Sequence, residues 1–375
     1  MSVQDGPNWW ATPGTAAWDF RSDVITRPTQ SMLNAIAQTT LLDDDYMEDP
    51  VTNDLQSFIA NLTGHEDALL VMSGTMGNQV SLRTHLTQPP YQILCDHRAH
   101  IIHWEAGGVP TWTGAYVKGI VPSKNHLTLE DIQKHAILDE DYNGCPTRLI
   151  SLENTLDGSI FPLDEMRRIT DWAHANGLKV HLDGARLWNA VAKGAGKLSD
   201  YTKLCDSVSL CFSKGLGAPI GSIIVGNKTF IKKARWFRKS IGGGTRQAGI
   251  ISAAARVAVE ETFGKGETGE GGLLKRSHET AERIAEMWQA RGGKLASPVE
   301  TSMVWLDFKS AGIKPEDWDE LGKEKGLKLM GNRLVVHYQN SDEAVEKLGE
   351  VMDIALSGKL QTSSQTGKGK YYGQT

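Results

Sequence analysis

Two residues of this chain have types and settings suited to carbonyl chemistry. Lys214 lies in VSLCFSKGLGAPIGS, with an apolar run behind it and a glycine-rich turn ahead. An amine withdrawn from water loses the hydration that favours its charged form, and the neutral amine can attack an aldehyde to form an imine. Asp183 stands upstream in LKVHLDGARLW, at the end of another apolar run. A buried carboxylate there can keep a heteroaromatic ring nitrogen protonated. Together they are the two groups a pyridoxal cofactor asks of a protein, one to carry it and one to make its ring an electron sink. Singly, each has a plainer reading, as a solvated loop lysine and a helix N-cap.

Further residues of the right type recur along the chain. Ser73-Gly74-Thr75-Met76-Gly77-Asn78 sits between an expected strand and an expected helix, where backbone N–H groups and a helix dipole can close on an anion. A capped strand-to-helix turn would carry the same letters. Arg186, three residues after Asp183, can present a forked guanidinium to a carboxylate or phenolate, or lie on a helix surface. Gly215, Gly217 and Gly221 around Lys214 permit close backbone approach. Gly242, Gly243 and Gly244 precede Arg246 in IGGGTRQAG, and three adjacent glycines suggest close approach to a ligand or another subunit unless the loop is simply flexible.

The elements that must hold these residues read as an α/β arrangement. ALLVMS, YQILCD, TRLISLEN, LKVHLDG, DSVSLCFS and GSIIVG are short apolar runs closed by Gly, Asp, Asn or Ser, the pattern of buried strands. MGNQVSLRTHL and LDEMRRITDWAHANG read as helices, the second ending at Asn176-Gly177. From about Gly266 the pattern changes to a smaller α+β unit: helix HETAERIAEMWQARGG, strands TSMVWLDF and RLVVHY, and a last helix DEAVEKLGEVMDIAL.

Composition is that of an ordinary globular chain: 375 residues, 40% hydrophobic, 23% charged, formal net charge −5. Nothing in it points to nucleic acid or to an acidic membrane surface. The N-terminal MSVQDGPNWWATPG lacks a basic region followed by an apolar one, and no apolar run is long enough to span a bilayer, so a cytoplasmic location is expected. Cys95, Cys145, Cys205 and Cys211 follow no zinc or disulfide spacing; buried free thiols and no metal are expected.

In order and content these segments resemble the L-threonine aldolase family of pyridoxal-phosphate enzymes, its fungal type most closely. The resemblance runs from about Phe20 to Leu356, on FRSDVITRPT, LDDDYMEDPVTNDL, MSGTMGN, DHRAHIIHWEAGG, ISLENTLDG, HLDGARLWNA, CFSKGLGAPIGS and RKSIGGGTRQAG. It implies the aspartate-aminotransferase-like fold, fold type I of the pyridoxal-phosphate-dependent transferases, with a mixed seven-stranded sheet in the large domain and a smaller C-terminal α+β domain. The expected division is an N-terminal segment 1–30, a large cofactor-binding domain 31–265, a small domain 266–358 and a disordered tail 359–375. The family also implies a homotetramer, a dimer of dimers with sites shared between subunits.

By the same resemblance, Lys214 is the Schiff-base lysine and Asp183 the partner of the pyridine nitrogen. Gly74 and Thr75 hold the phosphate, with Arg246 reaching it from a neighbouring subunit. His100 lies over the cofactor ring. Ser22, Arg186 and Arg333 grip the substrate carboxylate, and Tyr46 lines the site from the partner chain. The implied reaction is retro-aldol cleavage of L-threonine or L-allo-threonine to glycine and acetaldehyde, with His100 taking the hydroxyl proton directly or through water. Bacterial members carry a histidine directly after Glu-Asn-Thr, but here Leu156 follows Glu153-Asn154-Thr155, as leucine tends to in fungal relatives. That departure bears on the choice between threonine and allo-threonine. It also admits an alanine racemase of the same family, supplying D-alanine to peptide synthesis, since an apolar wall suits a methyl side chain. A β-eliminating lyase or a non-catalytic binding protein on this fold are further readings.

Overall fold

The computed structural model describes residues 8–139 and 141–357. The tail expected at 359–375 lies outside the described residues. Seven apolar segments form one sheet: β1 (Asp67–Val71), β2 (Gln92–Asp96), β3 (Tyr116–Ile120), β4 (Thr147–Glu153), β5 (Lys179–Asp183), β6 (Ser207–Cys211) and β7 (Ser222–Gly226). Their order is β1-β7-β6-β5-β4-β2-β3. β7 runs antiparallel to both β1 and β6, and the other neighbours are parallel, so the sheet is mixed.

Burial explains which strands the sequence announces. β2, β6 and β7 are buried along their whole length, which removes any need for polar alternation and leaves a continuous apolar run. β3 is absent from the expected strands. It forms an edge of the sheet, only Ile120 of it is buried, and its YVKGI carries the lysine and glycine that such an edge tolerates. Two helices show how the ends are set. Ser73 Oγ accepts the Met76 N–H at the start of Gly74–His85, and Leu163–Ala175 stops at Asn176, ahead of Gly177 with φ 71°.

A second apolar cluster gathers around β8 (Met303–Trp305) and β9 (Arg333–Val335), an antiparallel pair packed with the helices Leu273–Ala290 and Asp342–Leu356. Trp288 and Trp318 meet edge-to-face there, 6.0 Å between ring centres. Phe20 is wholly buried in this cluster, its N–H donating to the Lys328 carbonyl and its carbonyl accepting from the Val335 N–H. The segment carrying Ser22 and Asp23 is thereby anchored on the second core before it reaches the first. Cys95, Cys205 and Cys211 are buried, Cys145 is half-buried, and all four are free thiols. Among the described residues no helix is long and apolar enough to cross a membrane.

The candidate chemistry collects at one edge of the large sheet. Glu153 ends β4, Asp183 ends β5, Cys211 ends β6 just before Lys214, and Ser73-Gly74 follows β1. Ligands of open α/β sheets bind outside the carboxyl ends of the strands, where connecting loops diverge.

Candidate active site

Above that edge lies a cavity of about 440 Å³, walled by His100, Glu153, Thr155, Leu156, Asp157, Arg186, Trp305 and Arg333 among others. A second cavity of about 340 Å³ shares Asn125, Glu153, Leu156 and Ser159 with it. The partition is the turn opened by Leu156, closed by the Ser159 N–H on the Leu156 carbonyl at 2.9 Å, with Asp157 and Gly158 at φ 53° and 86°. A polar substrate atom meeting this wall would find leucine, which offers no hydrogen bond.

Asn78 ties the acidic groups together. Its amide nitrogen donates to Glu105 Oε1 and to Asp183 Oδ2, both at 2.7 Å, and Asp183 Oδ1 accepts the Ala185 N–H at 3.0 Å. These donations hold the Asp183 carboxylate in a fixed orientation at the end of β5. Asp183 ends a strand and caps no helix, so the plainer N-cap reading falls away; Arg186 precedes the next helix. His100 Nδ1 is 3.0 Å from Glu105 Oε1, and the His100 backbone N–H donates to Glu153 Oε2 at 2.9 Å. His100, Glu105 and Asp183 bring ligand-type atoms within 4.8 Å of one another, but the hydrogens of Asn78 already occupy both carboxylates. The Glu153 carboxyl, which faces both cavities, is pushed well above the usual carboxylate range by lost hydration and by the charge of Asp183.

Arg186 presents one side of its fork to a carboxylate of the chain itself. Its Nε and Nη2 donate to the two oxygens of Asp23 at 2.9 and 2.6 Å, because a carboxylate as buried as Asp23 needs a counter-charge. Both hydrogens of Nη1 and the second hydrogen of Nη2 remain to face a ligand in the cavity that Arg186 lines. Burial alone would raise the Asp23 pKa, yet the Arg186 charge and hydrogen bonds bring it below the ordinary value. Arg333, also buried, donates from Nη2 to the Arg21 carbonyl and lies over Trp305, its carbon 5.9 Å from the ring centre. Ser22 is brought near only indirectly: it caps the turn Asp23–Ile25 through the Val24 N–H and is not among the cavity walls.

Lys214 is half-buried, its carbonyl accepting from Thr26 Oγ1 and the Gly217 N–H. Its charge favours the ionised forms of Asp23 and Glu153, which puts the amine in the neighbourhood of both. The helix Gly74–His85 opens beside the end of β6: a Cβ on Gly74 would stand 2.7 Å from Cys211 Sγ, so the chain approaches there only as glycine. The N–H groups at this helix start can take an anion. An amine, a carboxyl group and a helix start able to take an anion on one sheet edge are the donor set that pyridoxal phosphate requires, and the residues fit it.

Tyr46 and Arg246 are not brought to this cavity within one chain. They line a separate surface hollow of about 1030 Å³ with Trp236; Tyr46 is 75% exposed, and Arg246 reaches Asp43 at 3.4 Å. Within the triple glycine it is Gly243 that packs against the chain itself, since a Cβ there would meet Met76 Sδ at 2.8 Å and the Arg238 carbonyl at 2.9 Å, whereas one on Gly242 would meet nothing within 4 Å. At Gly243 the close approach is to the chain's own atoms. Sequence reasoning gave no role to Asn78, Glu105, Glu153 or Asp23, although each stands in a segment singled out. Their signal is partnership across strands and loops, invisible before the fold brings them together.

The family model of beta-eliminating lyases matches residues 19–311. An aldolase of Penicillium aethiopicum is 55% identical over 351 residues, covering 93% of this chain and 89% of its own. An alanine racemase of Cochliobolus carbonum is 46% identical over 91% of this chain and 88% of its own. A low-specificity L-threonine aldolase of Saccharomyces cerevisiae is 45% identical over 94% and 91%. Among solved structures, a threonine aldolase of Leishmania major superposes with a TM-score of 0.78 at 19% identity, covering 90% of this chain and 99% of its own, which establishes the shared fold.

Proposed function

The chain belongs to the beta-eliminating lyase family, alongside the fungal low-specificity L-threonine aldolases, as a pyridoxal-phosphate-dependent lyase of fold type I, and on that premise we propose that it cleaves L-threonine and L-allo-threonine to glycine and acetaldehyde. The observation that carries this reading is the His100–Glu105 pair. With Glu105 accepting at Nδ1, the other ring nitrogen of His100 keeps its lone pair beside the cavity that the ring lines.

Bound pyridoxal phosphate supplies a ring that takes up the electron pair left when the Cα–Cβ bond breaks. Lys214 would carry it, Asp183 would hold the proton on its ring nitrogen, and Gly74 and Thr75 would hold its phosphate. Arg333, with the one open edge of Arg186, binds the substrate carboxylate and so decides which bond at Cα is aligned for cleavage. His100 Nε2 takes the proton of the β-hydroxyl as that bond breaks, and Glu105 stabilises the imidazolium that forms. A proton then returns to Cα to give glycine, so one proton leaves the hydroxyl and one reaches carbon.

Tyr46, Arg246 and the 69%-exposed Trp236 support completion of the site by a second copy of the chain, in a dimer of dimers, and we take the location to be cytoplasmic. Incubation with each threonine diastereomer, with aldehyde followed through a coupled dehydrogenase, tests the proposal; no aldehyde from either would overturn it. A second reading, alanine racemisation, is favoured by the apolar face that Leu156 turns to the cavity and by the racemase relative. D-Alanine formed from L-alanine, resolved by chiral chromatography, would support it.

A further inference from the structure

Beneath the site runs a line of polar groups that the reaction as described does not use. His85 Nε2 is 2.8 Å from Ser207 Oγ, and that oxygen is 2.8 Å from His181 Nδ1. His181 Nε2 is 3.1 Å from Asn78 Oδ1, on the amide that also reaches Glu105 and Asp183. His181 and Ser207 are cross-strand partners on β5 and β6, and Asp183, two residues on, shares the strand face of His181. Asn78, His181 and Ser207 are buried, so their polar atoms must find partners inside the protein.

Counting hydrogens gives the line a direction. Asn78 has two amide hydrogens, and both are spent on carboxylate oxygens; turning the amide over would set its oxygen against two negative groups. Its Oδ1 therefore only accepts, and His181 Nε2 must carry a hydrogen. Burial brings the His181 pKa down to about 4, so the ring is neutral and its Nδ1 is bare. That nitrogen accepts the Ser207 hydroxyl hydrogen, and Ser207 Oγ in turn accepts from His85 Nε2–H. The backbone of Ser207 also lies beside the His181 ring and favours its protonation. A hydrogen on Nδ1 of the neutral ring, however, would leave Nε2 and Asn78 Oδ1 facing each other at 3.1 Å with none between them.

We propose that His181, Ser207 and His85 are positioning residues, forming a one-way donor chain that locks the Asn78 amide onto Asp183 and Glu105 together. A single amide then couples the carboxylate assigned to the cofactor ring with the carboxylate assigned to His100. This rests on the roles given to Asp183 and Glu105 above. Loosening the chain at Ser207, which touches neither cavity wall, frees the His181 ring to turn and disturbs both carboxylates at once.

Neutron diffraction from crystals of the holoenzyme locates the hydrogens directly. The chain requires them on Nε2 of both His181 and His85; a hydrogen on Nδ1 of a neutral His181 overturns it, whatever reaction the enzyme catalyses. In solution, Ser207→Ala should weaken pyridoxal-phosphate binding about three- to tenfold, the effect of one hydrogen bond, and shift the pH dependence of the cofactor's visible absorption. Ser207→Thr, which keeps the hydroxyl, should restore both. An unchanged affinity and absorption in Ser207→Ala would overturn the positioning role. Correct hydrogens with no aldehyde from threonine would instead remove the retro-aldol reading and leave the chain standing.

Discussion

His100 Nδ1 lies 3.0 Å from Oε1 of Glu105, whose side chain has no exposed surface. A carboxylate so placed fixes the imidazole tautomer and prepares the ring to accept a proton at its far nitrogen. Glu105→Gln removes the charge and offers His100 an amide group in place of an obligate acceptor. The kcat for threonine cleavage should fall about 10²- to 10⁴-fold while KM changes little. Steady-state aldehyde release measures this, and an unaltered kcat would remove His100 as the proton acceptor.

Asp23 and Arg186 form a buried pair in which each needs the other. Asp23→Ala leaves the guanidinium charged and unpaired, and should cost about 3–5 kcal/mol of stability. Urea unfolding of the cofactor-loaded protein gives the value. A loss below about 1 kcal/mol would mean that water or another group replaces the carboxylate.

Burial holds His181, His85 and His278 with pKa values brought from 6.5 down to about 4, 3 and 4. Between those values and 6.5 these rings bind more protons in the unfolded chain than in the folded one, so the stability they contribute is full above about pH 6.5 and falls as pH drops. Each group contributes a slope of up to roughly 1.4 kcal/mol per pH unit across its window. Asp23, with its pKa lowered from 3.8, adds a further loss below that value. The raised Glu153 carboxyl works the other way, losing stability as pH rises through its window, but it is one group against three rings. Thermal unfolding followed from about pH 6.5 down to about 4 should show a declining Tm; a Tm that stays flat or rises would mean that these rings are not buried neutral.

Leu156 stands on the partition between the two cavities and presents no hydrogen-bonding atom. Leu156→His adds one beside a substrate hydroxyl. Discrimination between the threonine diastereomers should change by about tenfold or more, and any D-alanine formation should fall. Comparison of kcat/KM for threonine, allo-threonine and alanine decides it; identical ratios in both proteins would place Leu156 away from the side chain.

What the sequence made legible follows from burial. Strands buried throughout announce themselves as apolar runs, and β6 and β7 are examples, whereas the exposed edge strand β3 does not. Lys214 and Asp183 stand out because each closes or follows such a run. Asn78, Glu105 and His181 do not, since their significance lies in partners up to 105 positions apart that only the packed sheet joins. Arg186 was legible as a cation, but its direction was not: the charge that turns it, Asp23, arrives on a segment anchored in the other core. Tyr46 and Arg246 show the limit from the other side, because one chain does not bring them to the cavity at all.

The most direct test of carbon–carbon cleavage is a product balance on the holoenzyme, with L-threonine, L-allo-threonine and L-alanine supplied in parallel and glycine, acetaldehyde and D-alanine all quantified. Retro-aldol cleavage predicts glycine and acetaldehyde in equal amounts from at least one threonine diastereomer, at a rate exceeding any D-alanine formation, and loss of both products in Lys214→Ala. D-Alanine from L-alanine with no aldehyde from either threonine would contradict it.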